Sequence, residues 1–297
     1  MSNALPRFIP DKPVLIAGPT ASGKSDLALR FAEEQGRHIV NADALQVYDG
    51  WHILTARPSE VDMSRACHWL YGHVSYRDDY SVGQWLRDLR PHLHRSPAPV
   101  IVGGTGLYFM ALTEGLAEIP TTEPLIRQRA ADYLAAYGLS QMVADLDTRT
   151  RGRLDTNNPM RVQRAWEVKY QTGRELADWQ DDTPPPLVDE NHAHCFVVQS
   201  DADWLNARID LRFDRMLELG ALEEARRMEP DWDSTRLSSN AIGATELIEV
   251  IRETMSLEQA TKLAKIASHQ YAKRQRTWFR KRMKGWNPLN SADFTPS

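Results

Sequence analysis

The chain has 297 residues, with 36 Lys and Arg against 40 Asp and Glu, a net charge of −4, and it is 42% apolar and 26% charged. These proportions exclude a disordered tail, a collagen-like repeat and a disulfide-dense scaffold, and the length can bury one large core or two smaller ones. Two distant cysteines, Cys67 and Cys195, leave no disulfide framework and no four-cysteine zinc site, and no apolar run approaches the roughly 18 residues of a membrane span, so a cytoplasmic monomer away from membranes is expected.

Pro13–Ala17 is a short apolar run that fits a buried parallel strand. It enters Gly18-Pro19-Thr20-Ala21-Ser22-Gly23-Lys24-Ser25 and then Asp26–Gln35, whose leucines, alanines and Phe31 read as a helix. His38-Ile39-Val40 and Val100-Ile101-Val102 predict two further strands, the second running into Gly103-Gly104-Thr105-Gly106. Strand, glycine turn and helix in alternation imply a parallel sheet flanked by helices. From about Thr121 to Gln180 the pattern is helical, with Thr122 read as the cap before Glu123-Pro124 and Asn158 before Pro159. Asp181-Asp182-Thr183-Pro184-Pro185-Pro186 is a stiff connector, His194–Val198 returns as a strand, and the tail from about Leu205 is helical. The expectation is an α/β fold with a P-loop NTPase-like parallel sheet, built from residues 1–120 and 190–297, and a helical insertion subdomain over 121–189.

Gly18-x4-Gly23-Lys24-Ser25 is a full phosphate-binding loop in its required place, after a strand and opening a helix. Backbone N–H groups and the helix N-terminus can surround phosphate oxygens, Lys24 adds a charge and Ser25 can hold Mg²⁺. A hydrolysing ATPase would usually end an apolar strand in Asp, whereas Val102 is followed by glycines. Asp43, just past the second strand, sits at the sheet edge where ligands bind and can orient or deprotonate an acceptor, or simply cap its turn. A small-molecule kinase using ATP remains open on these residues. His192, His194 and Cys195 lack a fourth metal ligand.

The net charge conceals a division. Residues 261–297 hold nine Lys and Arg with the single acid Asp293, so that segment is +8 and the other 260 residues, with 27 basic and 39 acidic side chains, are −12. Lys262, Lys265, His269, Lys273, Arg276 and Arg280 are spaced 3, 4, 4, 3 and 4, which places all six on one helix stripe about 27 Å long. Such a stripe can follow several phosphates of a nucleic acid, which keeps an NTP-regulated RNA-binding protein in view. Arg161 and Arg164 make a smaller basic face on the insertion.

In order along the chain, GPTASGKS (18–25), NADALQVY (41–48) with TARP (55–58), VGGTGLY (102–108), NNPMRVQRAWEV (157–168), RIDLRFDRML (208–217) and QYAKRQRTWFR (270–280) resemble the tRNA dimethylallyltransferases, also called tRNA isopentenyltransferases. The resemblance implies transfer of a dimethylallyl group from dimethylallyl diphosphate to the exocyclic N6 amine of the adenine 3′ of the tRNA anticodon, the loop holding the prenyl diphosphate in place of ATP. It implies Asp43 as general base and Thr105 as an orienting hydroxyl. The donor's diphosphate falls to the loop, Gly18, Pro19, Thr20, Ala21, Ser22, Gly23, Lys24 and Ser25, and to Arg212, with Arg208 the other candidate. For the anticodon stem-loop it implies contacts from Asp43, Ala44, Leu45 and Gln46, from Arg127, from Met160, Arg161, Val162, Gln163 and Arg164, and from Lys273, Arg274, Arg276 and Arg280. Ala44, Met160 and Gly243-Ala244-Thr245 depart from the family's usual Ser, Gln and Gly-Tyr-Arg.

Overall fold

The apolar run after Pro13 forms β1 (Val14–Ala17), buried along its whole length as a strand covered on both faces must be. In the computed structural model, which describes residues 8–294, it leads through the glycine loop into α1 (Lys24–Gln35). The chain continues with β2 (Ile39–Asn41), α2 (Glu60–Arg65), β3 (His68–Trp69), α3 (Val82–Leu93), β4 (Val100–Gly103) and α4 (Gly106–Glu114). Four helices follow, α5 (Pro124–Ala144), α6 (Thr148–Arg153), α7 (Pro159–Thr172) and α8 (Leu176–Asp181). Then come β5 (His194–Gln199), α9 (Ala202–Glu218), α10 (Ala221–Met228), α11 (Ala244–Ile251), α12 (Leu257–Arg282) and β6 (Asn287–Asn290).

The six strands form one parallel sheet in the order β3-β2-β4-β1-β5-β6. Register pairs Ala17 with Gly103 and Asn41 with Val102, so the turns after β1, β2 and β4 leave the sheet side by side. The tail is not wholly helical as expected: it ends in β6, an edge strand containing Pro288 that exists only through pairing with β5. β3, two residues long at the other edge, is equally invisible to a period-2 pattern.

The chain divides into two compact units, one running to Thr113 and resuming at Val188, the other Glu114–Leu187. These limits lie ahead of the expected 121 and 189, because Ile119 packs on the helical unit's core and the Val188 N–H bonds to Leu112 O in the sheet unit. Within the sheet unit, Val14, Ile16, Phe31, Ile39 and Val102 form one core, and Trp51, Phe213, Met216, Leu247 and Ile248 form a second.

The helical unit packs Ala130, Met142, Leu146, Val162, Ala165 and Trp166 between α5 and α7. Gly138 breaks α5 with φ at +79°, a region glycine enters without a Cβ penalty. Asn158 caps α7 as expected, accepting the Arg161 N–H at 3.3 Å. Thr122 is not the cap of α5. It is buried, its hydroxyl donating to Glu167 Oε2 at 3.2 Å, and Glu123 takes the cap position with Pro124 at the first helical residue.

Candidate active site

The loop after β1 has the geometry its glycines dictate. Gly23 adopts φ +82° immediately before α1, turning the helix N-terminus toward the loop. A side chain on Gly18 would place its Cβ 2.9 Å from Val198 Cβ, so only glycine lets β1 and β5 stay paired there. Lys24 opens α1, and its ammonium donates to Pro19 O at 3.1 Å, curling back over the loop. Ser25 is exposed on the same first turn.

Asp43 is held from three directions. Asn41, fully buried, accepts the Asp43 N–H through Oδ1 at 2.8 Å and donates through Nδ2 to Asp43 O at 2.9 Å and Leu70 O at 3.0 Å. Trp85, also fully buried, donates its indole N–H to Asn41 O at 2.8 Å and so fixes the strand end. The carboxylate then divides its duties: Oδ1 accepts the Leu45 N–H at 3.0 Å, closing an Asx turn, and Oδ2 faces the β4 turn, 3.1 Å from where a Gly104 Cβ would stand. Turn-capping and a chemical role therefore coexist on one side chain.

Thr105 lies next to it. Its Oγ1 accepts the Ala44 N–H at 2.9 Å, and its own N–H bonds to Ala42 O at 3.2 Å. Gly103 is obligatory beside them, since a Cβ there would stand 2.0 Å from Ala42 O. Gln46 also lines the cavity, its amide donating to Thr55 O and Ala56 O at 2.8 and 3.0 Å.

α9 supplies both arginines. Arg212 donates to Thr20 Oγ1 at 3.3 Å, whereas Arg208 stacks over Trp204 and donates to Ala21 O at 3.2 Å. Arg212 thus touches a loop side chain and Arg208 braces the loop backbone. The loop residues Thr20–Asp26, Asp43, Arg208 and Arg212 line a cavity of about 620 Å³ that also reaches Tyr71 and Tyr271; Thr105 is not among its lining residues. Burial pushes the Lys24 ammonium down to about 8, Asp43 pulling it up and Arg212 pushing it further down. Arg212 is likewise lowered by burial, with Asp43 and Asp26 opposing. Two crowded cations facing one carboxylate describe a pocket that gains by receiving an anion.

The far wall of the cavity includes residues 52–56. Their backbone is held by Glu224 of α10, whose carboxylate accepts the N–H groups of His52, Ile53 and Leu54 at 2.7 to 3.1 Å. Glu224 lies outside every motif quoted above and acts on backbone remote in sequence, while Asn41 opens the NADALQVY segment without its bracing of Asp43 being legible there.

The basic stripe on α12 is interrupted. Lys265 pairs with Asp214 at 2.7 Å and His269 with Asp210 at 2.8 Å, both acids on α9, so these two positions form an interhelical clasp, while Lys262 is exposed. Lys273, Arg274 and Arg280 are exposed and meet no carboxylate within ion-pair distance among the described residues. In the helical unit, Arg127, Met160 and Arg161 are exposed, while Gln163 is tied to Glu167 at 3.0 Å. Val162 is corrected outright as a surface contact, since it is fully buried in the core of that unit. Arg164 is half-buried and hydrogen-bonded to Thr122, which makes it a brace for its own unit.

Fold and cavity together define an α/β protein with a P-loop NTPase-like parallel sheet that sets a glycine-rich loop against a carboxylate. The family model described as IPP transferase matches residues 46–282 and that of isopentenyl transferase residues 12–70. A tRNA dimethylallyltransferase from Ruegeria sp. (strain TM1040) is 57% identical over 280 residues, covering 94% of this chain and 96% of the relative. The crystal structure of a tRNA isopentenylpyrophosphate transferase from Bacillus halodurans superposes with a TM-score of 0.67 at 27% identity, covering 95% and 90% of the two chains. A eukaryotic dimethylallyltransferase acting on tRNA shares the fold, with a TM-score of 0.79 at 24% identity over 94% of this chain and 74% of that one. The chain belongs to the tRNA dimethylallyltransferase family.

Proposed function

We propose that the chain transfers a dimethylallyl group from dimethylallyl diphosphate to N6 of the adenine 3′ to the tRNA anticodon, forming N6-isopentenyladenosine. The observation that carries this reading is the single cavity on which the phosphate loop, Arg212 and Asp43 converge. An adenine amine is a poor nucleophile because its lone pair is delocalised, so the barrier falls chiefly on the donor side. As the allylic C1–O bond breaks, the electron pair leaves with the diphosphate, whose growing negative charge meets the loop N–H groups, Lys24 and Arg212. N6 bonds to C1 and its proton passes to Asp43 Oδ2, the oxygen not engaged by the Asx turn. The orienting role of Thr105 is supported by its Oγ1 accepting the Ala44 N–H beside Asp43. The target base must leave its stack to reach the cavity.

Ser25 fits a magnesium site of the substrate-assisted kind: an exposed hydroxyl on the cavity, with no cluster of three His, Cys, Asp or Glu among the described residues to form an all-protein cage. Ser25 would hold Mg²⁺ there, and the ion would supply further positive charge to the leaving group. Arg127, Met160, Arg161, Lys273, Arg274 and Arg280 are the proposed tRNA contacts, on the basis of their exposure.

The test is incubation with Mg²⁺, labelled dimethylallyl diphosphate and unmodified tRNA that reads codons beginning with U. Label on adenosine with the added mass of one C5H8 unit is expected; ATP consumption on a small acceptor with no label transfer overturns the reading. Lys24 adds a pH signature. Its charge is present below about pH 8 and lost above it, so pyrophosphate binding to the free protein should weaken as pH rises through that value, and calorimetric titration at several pH values checks it. For the basic face, Lys273→Ala with Arg280→Ala should weaken tRNA binding and flatten the slope of log affinity against log salt by about 0.8 per charge removed. An unchanged slope assigns that face to solvent.

A further inference from the structure

Gln275 faces inward from α12, one residue from two exposed or half-exposed arginines on the basic side, and is only 6% exposed. Both ends of its amide are engaged. Oε1 accepts the Thr20 N–H of the phosphate loop at 2.9 Å, and Nε2 donates to Gly104 O of the β4 turn at 2.9 Å. A single neutral side chain from a third element therefore ties the glycine loop, whose residues Thr20–Asp26 line the cavity, to the β4 turn. Consequences run outward from both ends. Thr20 carries the hydroxyl that Arg212 donates to, and Gly104 precedes Thr105, which holds Ala44 beside Asp43. One turn further along α12, Trp278 packs so closely on Gly106 that a Cβ there would stand 2.2 Å from its ring, so the β4 turn is gripped twice by the same helix.

Accepting the prenyl-transfer reading above, on which this rests, we infer that Gln275 is a positioning residue that couples tRNA held on the outer face of α12 to the donor site on its inner face. Phosphates drawn to Lys273 and Arg280 fix the position of the helix, and Gln275, on the turn between them, then holds Thr20 and Gly104 in the arrangement that receives diphosphate. A ligand that favours one arrangement of such a linked element raises the affinity of the other ligand by the same factor. Neither charge nor contact with substrate is required of Gln275.

The experiment measures inorganic pyrophosphate affinity of the full chain with and without a saturating unmodified anticodon stem-loop, for the wild type and for Gln275→Met, which keeps the side chain's length and removes its hydrogen bonds. The stem-loop should tighten pyrophosphate about tenfold in the wild type, within the usual range of coupling, and less than about twofold in Gln275→Met. In steady state the variant should raise the donor KM about tenfold with a much smaller change in kcat and unchanged stem-loop affinity, a split that general destabilisation would not produce. Equal coupling in the two proteins, or none in the wild type, overturns the inference. Wild-type label transfer, run in parallel, tests the prenyl-transfer reading separately: transfer with equal coupling sinks only the role of Gln275, and no transfer sinks the reading beneath it. If Gln275→Met does not fold, hydrogen exchange on the wild type decides: the stem-loop should slow exchange at the Thr20 amide several-fold, and unchanged exchange there rejects the coupling.

Discussion

Asp43→Ala is expected to lower turnover by about 10²- to 10⁴-fold, the usual contribution of a general base, while tRNA affinity stays within a few-fold. Two functions are lost at once in that variant, because Oδ1 also caps the turn at Leu45. Asp43→Asn separates them. Its amide oxygen keeps the cap and its nitrogen cannot accept the N6 proton, so its rate should fall nearly as far as that of Asp43→Ala while thermal stability stays close to wild type. Single-turnover label transfer with enzyme in excess isolates the chemical step from product release. A wild-type single-turnover rate in Asp43→Asn removes the carboxylate from the mechanism and leaves it only its turn.

Glu224→Ala should destabilise the protein by about 3–5 kcal/mol, because removing the carboxylate strands three backbone N–H groups, the Leu54 N–H among them buried. In a unit of this size that corresponds to a melting temperature lower by roughly 6–20 °C. Glu224→Gln keeps the shape and one acceptor oxygen, and should recover about half of the loss. The functional echo is specific: residues 52–56 wall the cavity, so donor affinity should fall in Glu224→Ala at temperatures where the protein is still folded. Thermal and urea melts beside pyrophosphate titration measure both effects, and a melting point within one or two degrees of wild type would show that water serves those N–H groups as well as Glu224 does.

Sequence alone determined the parts that depend on neighbours along the chain. A buried strand, a glycine loop whose backbone must turn sharply and a helix that follows are written consecutively at 14–35, and so the strand–loop–helix unit and the parallel α/β fold could be read directly. Asn158 as a cap was legible for the same reason, its acceptor and donor being three residues apart. Asp43 was legible as a candidate because it follows a strand end, though only the folded chain separates its turn-capping oxygen from the one that faces the β4 turn.

Tertiary structure decided whatever needs two distant segments. The stripe from Lys262 to Arg280 is periodic in sequence, yet two of its six members, Lys265 and His269, are engaged by Asp214 and Asp210 on a different helix, which no spacing on α12 can reveal. Arg164 and Val162 sit in a basic-looking segment and are turned inward by the packing of their own unit. β3 and β6 carry no alternation of their own and become strands because a neighbour offers an open edge. Asn41, Glu224 and Gln275 bond to backbone, and backbone partners leave no trace in side-chain composition. The charge surplus of the last 37 residues was therefore fixed by the sequence; which of those charges remain available to a polyanion was settled by where α9 lies.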